Sequence, residues 1–216
     1  MTRHTQPTRT IRPRTVLTAS CAVAALALTG AGVYAGLNAV ATGTQAVSSG
    51  TLSLVMANET GSSFSGAVSN MAPGDVSNRF VNLTNGSTLA AQSLTLKVAG
   101  GGATLLTTSA TKGLAVTVTN CTTSWTVSAG VATCTAGTTS VVMASTPVST
   151  LSTTPGAVQA TIATGAVLHL QVTLTLPDQA ETTTNGTTPG STIQGLSDTL
   201  TYTFNEAQRT ATTTNA

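Results

Sequence analysis

Residues 168–176, "LHLQVTLTL", place an apolar side chain at every second position and a polar side chain between. A period of two is typical of a β-strand with one buried face and one face in water. Gly, Asn and Pro residues separate the strand-like segments, and no convincing amphipathic helix lies between them. The sequence therefore predicts an all-β protein, an antiparallel β-sandwich or jelly roll. Further segments that alternate in the same way are 52–56, 94–98, 114–118 and 200–204.

The composition fits one folded β-rich domain. The chain has 216 residues, of which 40% are hydrophobic and 6% are charged, and its mean hydropathy is +0.26. This hydrophobic fraction argues against disorder, and a chain of this length can bury a sizeable core. We expect the domain to span residues 51–208, with 178–197 as an exposed loop and 209–216 as a flexible tail.

Two turn signals flank a short strand in "NMAPGDVSNRFVNLTNGS", residues 70–87. Pro73-Gly74 suits the centre of a type II turn, because Pro fixes the first φ and Gly accepts a positive second φ; Asp75 follows it. Asn85-Gly86 is a second strong turn dipeptide. We expect these structural turns to hold the strand between them in register.

The N-terminus has the pattern of a secretory signal peptide. Four arginines precede residue 15, and the apolar run "VLTASCAVAALALTGA" follows at 16–31. Small residues then lead to a cleavage site at Ala35, Gly36 and Leu37, so that 1–36 would be removed. An uncleaved membrane anchor is the alternative, because the apolar stretch is nearly long enough to span a bilayer.

Removal of this segment changes the charge of the protein. Four basic residues then face six acidic ones, which gives a net charge of −2. No basic patch remains, so nucleic acid binding has no electrostatic basis. We expect a secreted protein that has no membrane association after cleavage.

Cysteine usage agrees with export. Cys21 lies in the segment that would be discarded, and Cys121 and Cys134 remain as an even pair. Between them lies a hairpin-like sequence with Ala129-Gly130 at its turn, so we predict a structural disulfide. A redox or metal-binding pair is the alternative, but the spacing is not CxxC and no further ligands are evident.

Residues that carry chemistry are scarce. His169 is the one histidine of the mature chain, and no HExxH or GxSxG motif is present. Its place among Thr and Gln on the polar side of an alternating strand favours a surface residue over a metal ligand. We therefore predict no catalytic, metal-binding or cofactor-binding residue.

Three blocks of sequence resemble the TasA/camelysin family of secreted bacterial proteins. They are "AGVYAGLNAVATGTQAVSSGTLSL" at 31–54, "NMAPGDVSNRFVNLTNGSTLAAQSL" at 70–94 and "SDTLTYTFNEAQRT" at 197–210. The family typically has Gly and an aromatic residue at the signal end, then a small-Gly-Thr-Leu strand. A Pro-Gly-Asp turn, an Asn-Gly-Ser turn and a final strand ending in Ala-Gln follow. The blocks keep this order and cover both ends of the domain.

The resemblance implies a jelly-roll sandwich and cleavage near Gly36-Leu37 by a dedicated signal peptidase. TasA-like members are structural subunits of extracellular matrix filaments, whereas camelysin-like members are classed as surface metalloendopeptidases. With one mature histidine and no metal motif, the sequence favours the structural role. We expect a fibre subunit of the cell surface or biofilm matrix, with self-assembly or matrix proteins as partners. A metalloendopeptidase and a monomeric adhesion or binding module are the alternatives.

The segment 37–50 is the candidate for assembly. Its stretch "LNAVATGTQAV", residues 37–47, is uncharged and has no partner strand nearby in sequence. Such a segment can add to an exposed sheet edge of another copy as a donor strand. Pairing within its own domain, or a flexible leader, is the alternative.

Overall fold

The computed structural model describes residues 48–59, 62, 64, 68–183 and 185–213. The elements within these ranges belong to the unit Ser49–Ala216. They are mostly strands, with two helices of four residues each. In chain order they are β1 (Leu54–Asn58), β2 (Val76–Asn85), β3 (Ala91–Gly100), α1 (Leu105–Thr108), β4 (Ala115–Cys121), β5 (Ser124–Ser128), β6 (Val131–Thr135), β7 (Thr139–Pro147), α2 (Val148–Leu151), β8 (Gly156–Ile162), β9 (Val167–Thr175) and β10 (Leu200–Gln208).

The strands form two main sheets and one separate hairpin. The larger sheet has the order β1-β2-β9-β4-β7, and the smaller sheet has the order β10-β3-β8. Within the described ranges, β5 and β6 pair only with each other, and all pairings between strands are antiparallel. The prediction of an all-β antiparallel sandwich is confirmed, while the jelly-roll type stays a prediction.

The core lies between the two sheets and follows the predicted alternation. The apolar positions of β9 are buried at Leu170, Val172 and Leu174, and Leu176 after the strand is buried too. Strands β3 and β4 contribute in the same way, because alternate side chains point to one face of a sheet. The residues of these two strands that have no exposed surface are Ala91, Leu94, Leu96, Val98, Val116 and Val118.

The alternation at 52–56 does not give a buried face. Leu54 packs partly against the core, but Leu52 and Met56 are exposed. The physical reason is the unequal size of the sheets. A three-stranded sheet does not cover all of a five-stranded one, and β1 is an edge strand of the larger sheet.

The chain turns at Pro73-Gly74 just before β2. Gly74 has a φ of 89°, and the Asp75 N–H donates to the Ala72 carbonyl over 2.9 Å, which is the geometry of a type II turn. The turn also binds the end of the β9 segment, since the Gly74 N–H donates to the Leu176 carbonyl over 2.9 Å. The strand that follows is thereby fixed at its start.

Asn85 and Gly86 lie at a corner rather than in a two-residue hairpin turn. Asn85 ends β2 in the larger sheet, and the chain reaches β3 in the smaller sheet at Ala91. The Asn85 side chain is fully buried, and its amide donates to the carbonyls of Leu89 and Ile162 at 3.2 and 3.1 Å. This amide therefore ties the two sheets together where the chain crosses between them.

Candidate assembly surface

One side of the sandwich is bounded by the edge strands β1 and β10. Strands β7 and β8 contact each other at the other side, so β1 and β10 are the remaining edges of their two sheets. We call the side between β1 and β10 the open flank. In the part of the chain that the structure describes, no strand pairs with the outer edge of β1 or of β10.

The inner face of β1 is uncovered at the open flank. Met56 pairs with Leu83 of β2, so both side chains point to the same face of the sheet. Leu83 is fully buried, whereas Met56 is 55% exposed. Asn58 repeats the pattern, because it is exposed and pairs with the buried Val81. The apolar layer of the sandwich therefore continues to a solvent-exposed edge.

On the opposite sheet, β10 lines the open flank with aromatic side chains. Tyr202 and Phe204 are half-buried and pack against the core. The ring of Phe64 meets that of Tyr202 edge-on, with centroids 5.0 Å apart. Burial raises the pKa of Tyr202, and the nearby charge of Arg79 offsets part of that effect. These rings form an apolar surface on the β10 side of the open flank.

Glu206 lies on the same face of β10, two residues after Phe204. Both of its carboxylate oxygens are shielded from solvent and have no hydrogen-bond donor among the described residues. Burial raises the pKa of this carboxyl, because the charged form loses hydration without a compensating partner. The flank thus contains an acceptor that no described group satisfies.

Asp198, two residues before β10, binds the segment between β3 and α1. Its carboxylate accepts the Gly102 N–H at 2.9 Å and the hydroxyls of Thr104 and Thr107 at 3.0 and 2.8 Å. Partial burial alone would raise the pKa of Asp198, but these hydrogen bonds outweigh it and lower the pKa. A Cβ on Gly100 would lie 2.6 Å from Thr107 Cγ2 and 2.8 Å from an Asp198 carboxylate oxygen, so a larger residue there would displace these two side chains.

The segment 178–197 is anchored to the sandwich at several points. Ile193 is buried in the core, and the Thr192 hydroxyl donates to the Glu181 carboxylate. Lys112 lies 3.5 Å from the other Glu181 oxygen and donates to the Ser191 carbonyl over 3.0 Å. The Thr192 hydrogen bond lowers the pKa of Glu181, burial opposes it, and Lys112 lowers it further. Part of the predicted exposed loop is therefore packed down.

The hairpin β5–β6 lies on the larger sheet. Ala129 and Gly130 have φ values of 50° and 79°, as a two-residue type I′ turn requires. Cys121 and Cys134 form a disulfide with Cα atoms 5.7 Å apart. Closing a loop of this length stabilises the fold by about 3 kcal/mol through the chain entropy of the unfolded state.

His169 lies on the polar face of β9, and its side chain is hydrogen-bonded. Its Nδ1 is 2.7 Å from Asn82 Oδ1 and 3.3 Å from Glu59 Oε2. A protonated Nδ1 donates to both oxygens, so these three side chains form a hydrogen-bonded cluster. Glu59 is buried, and His169 is 22% exposed. Sequence reasoning missed this cluster because Glu59 lies 110 residues from His169.

The predicted cleavage residues Ala35, Gly36 and Leu37 lie outside the described residues, as do Cys21 and the segment 37–47. Their roles stay predictions. Where the structure does describe the chain, no helix is both long and apolar enough to cross a bilayer.

Comparison with known proteins finds a family match in the N-terminal part of the chain. Residues 11–103 match the family model described as camelysin metallo-endopeptidase. This match supports the resemblance to the TasA/camelysin family. The match covers the first two of the three resembling sequence blocks and extends to the end of β3. No curated protein matches the chain significantly.

The camelysin description implies a catalytic metal, and the described residues do not fit one. A catalytic zinc site takes three protein ligands. Across 48–59, 68–183 and 185–213, no group of three or more His, Cys, Asp or Glu side chains is placed to hold a metal ion. His169 has one carboxylate beside it, and that carboxylate shares the ring N–H with Asn82.

Proposed function

We propose that the mature chain is a secreted structural subunit of a cell-surface or matrix fibre, in the manner of TasA. The observation that carries the proposal is the exposure of Met56 on the core-facing side of β1, opposite the buried Leu83. An apolar layer that ends at the free edge of a sheet can act as an association site, because a further strand can continue both the sheet and the core.

The edge also lacks the usual protection against association. Natural edge strands are blunted by charged residues, proline or bulges. Strand β1 has the sequence LVMAN, with no charge and no proline, and it pairs with β2 without a register shift. Val55, on its other face, is 51% exposed as well. This composition supports pairing with another chain.

The occupant that we propose for the open flank is the segment 37–47 of a second copy. It is uncharged, and its apolar residues Leu37, Ala41 and Val47 share one face of an extended strand, which could fill the layer beside Met56. Cleavage after Gly36 by a signal peptidase would free this segment. Donation from each copy to the next repeats without closing, so it builds a filament rather than a dimer.

A camelysin-like peptidase is a second candidate, which the family description favours. Residues 104–216 lie outside the family match, and the described ligand set does not fit a zinc centre. We therefore propose a role that is not enzymatic. Metal analysis and casein hydrolysis by the purified secreted protein test this point, and stoichiometric metal together with hydrolysis that a chelator stops would contradict it.

A monomeric binding module is the third candidate. A groove of about 390 Å³ lies between the hairpin tip and the start of β2, with Phe80, Val127 and Ala132 among its lining residues. Negative-stain electron microscopy of the secreted protein separates this candidate from the fibre subunit. Filaments support the subunit, whereas single particles at every concentration favour the module.

A further inference from the structure

The hairpin β5–β6 is built as a unit separate from the sandwich. In the sequence it lies between β4 and β7. Strands β4 and β7 pair with each other, whereas β5 pairs with β6. Its apolar contacts form their own cluster, which does not include the main core. The buried members of this cluster are Phe80, Cys121 and Trp125. The hairpin can therefore leave the sheet without opening the core between the two sheets.

Among the described residues, a disulfide, a ring contact and a hydrogen bond hold the hairpin on the outer face of the larger sheet. The disulfide joins Cys134 of β6 to Cys121 at the end of β4. The Trp125 ring packs on Phe80 with centroids 5.4 Å apart, and its Nε1–H donates to the His169 carbonyl over 3.0 Å. A two-stranded hairpin is marginally stable by itself in water. Its docking therefore depends on these contacts, of which the disulfide is the one covalent link beyond the chain itself.

The neck of the hairpin has its own hydrogen bonds. The Thr122 N–H donates to the Thr138 carbonyl, and the Thr138 N–H donates to the Thr122 hydroxyl, both over 3.0 Å. Gly137 fits closely beside the disulfide, since a Cβ there would lie 2.9 Å from the Cys134 sulfur. The neck can stay attached to the β4–β7 pair when the disulfide opens.

We propose that the hairpin β5–β6 is a redox-controlled cover over Phe80 and the neighbouring face of β9. The oxidised protein keeps the cover closed. A dithiol reductant opens it while the sandwich stays folded, which exposes the rings of Trp125 and Phe80. The proposal is independent of fibre formation, because the cover and the open flank are built from different strands.

The exchange balances as two consecutive steps. A thiolate of the dithiol attacks the sulfur of Cys134, which is more exposed than the buried Cys121. The disulfide breaks, and the Cys121 sulfur leaves as a thiolate that takes up a proton. The reductant is then joined to Cys134 in a mixed disulfide. Its second thiolate attacks the reductant sulfur of that bond, which closes a cyclic disulfide and releases the Cys134 sulfur as a thiolate that takes up a proton. The protein gains two electrons and two protons.

Trp125 provides the test, because it is the single tryptophan of the chain. Tryptophan emission and its quenching by acrylamide are measured on the secreted protein before and after dithiothreitol, with thiol titration and far-ultraviolet circular dichroism alongside. We expect two titratable thiols, emission at longer wavelength, stronger quenching and an unchanged β-sheet spectrum. Without any reductant, the Cys121→Ser/Cys134→Ser protein should show the same tryptophan emission as the reduced wild-type protein.

A Phe80→Ala protein is the matched variant. It removes the ring contact but keeps the disulfide, so its Trp125 emission should change much less than on reduction. Two outcomes would overturn the proposal. One is two free thiols with unchanged emission and quenching, which would mean that the hairpin docks without the bond. The other is loss of the β-sheet spectrum on reduction, which would mean that hairpin and sandwich unfold as one unit.

Discussion

Met56 and Leu83 face each other across β1 and β2 on the same side of the sheet, yet Leu83 is fully buried and Met56 is 55% exposed. Paired side chains of this kind normally share one environment, because their Cβ atoms are about 5 Å apart. The difference marks the place where the smaller sheet stops covering the larger one. It is the structural basis for the assembly that we propose.

A charge at Met56 should block assembly without unfolding the subunit. Since the side chain is exposed in the monomer, Met56→Lys should change the free energy of unfolding by less than about 0.5 kcal/mol. In a fibre the same lysine would lie in an apolar layer, so filaments should be lost. Val55→Lys is the matched control, because Val55 is 51% exposed on the opposite face of the same strand. If electron microscopy shows that both variants lose filaments, or that both keep them, the proposal that assembly uses the core-facing side of β1 is contradicted.

Asn85→Ala should be strongly destabilising. The amide donates to the carbonyls of Leu89, Ile162 and Ala163, and its oxygen accepts the Ser87 N–H over 2.9 Å. Their loss leaves buried carbonyls without a donor, which should cost about 2–4 kcal/mol in urea denaturation. Asn205→Ala is the control, since that residue is exposed, and it should be nearly neutral. A small effect at Asn85 would mean that water replaces the amide.

Asp198→Asn should lower the free energy of unfolding at neutral pH and make that free energy depend less on pH in the acid range. The pKa of Asp198 lies below the ordinary value of 3.8, so its contribution is present above that value and is lost as pH falls through the folded pKa. An amide cannot accept all of these donors, so we expect a loss of about 1–2 kcal/mol at pH 7. Thermal melts between pH 2 and 7, with the exposed Asp178→Asn as control, measure it. Parallel curves for the wild type and Asp198→Asn would be the contrary result.

Glu206→Gln should act in the opposite direction. Burial raises the pKa of this carboxyl above its ordinary 4.5, so ionised Glu206 opposes folding at neutral pH, and the cost disappears as pH falls through the folded pKa. The variant should therefore be more stable than the wild type at pH 7 and equally stable at pH 3. Glu181→Gln should instead lose stability at pH 7, because the Thr192 hydrogen bond lowers that pKa. Destabilisation by Glu206→Gln at neutral pH would show that the carboxylate has a partner.

The sequence predicts the sheets better than their edges. The alternation at 168–176 suffices to place Leu170, Val172 and Leu174 in the core, because period-two patterns directly report a buried face. The same reasoning fails at Met56, since alternation does not say which strand lies beyond the cover of the opposite sheet. The Asn85-Gly86 dipeptide indicates a turn, but the structure places Asn85 at the end of β2, and its buried amide depends on Ile162, which is 77 residues away.

The most direct test of the central claim removes the proposed donor strand. Secreted protein that lacks residues 37–47 is compared with the full mature chain by electron microscopy and analytical ultracentrifugation, with circular dichroism to verify folding. We predict that the truncated protein is a folded monomer, and that a peptide of sequence LNAVATGTQAV caps growth of the full chain while a scrambled peptide does not. Filaments of the same morphology from the truncated protein would contradict donation of this segment to the open flank.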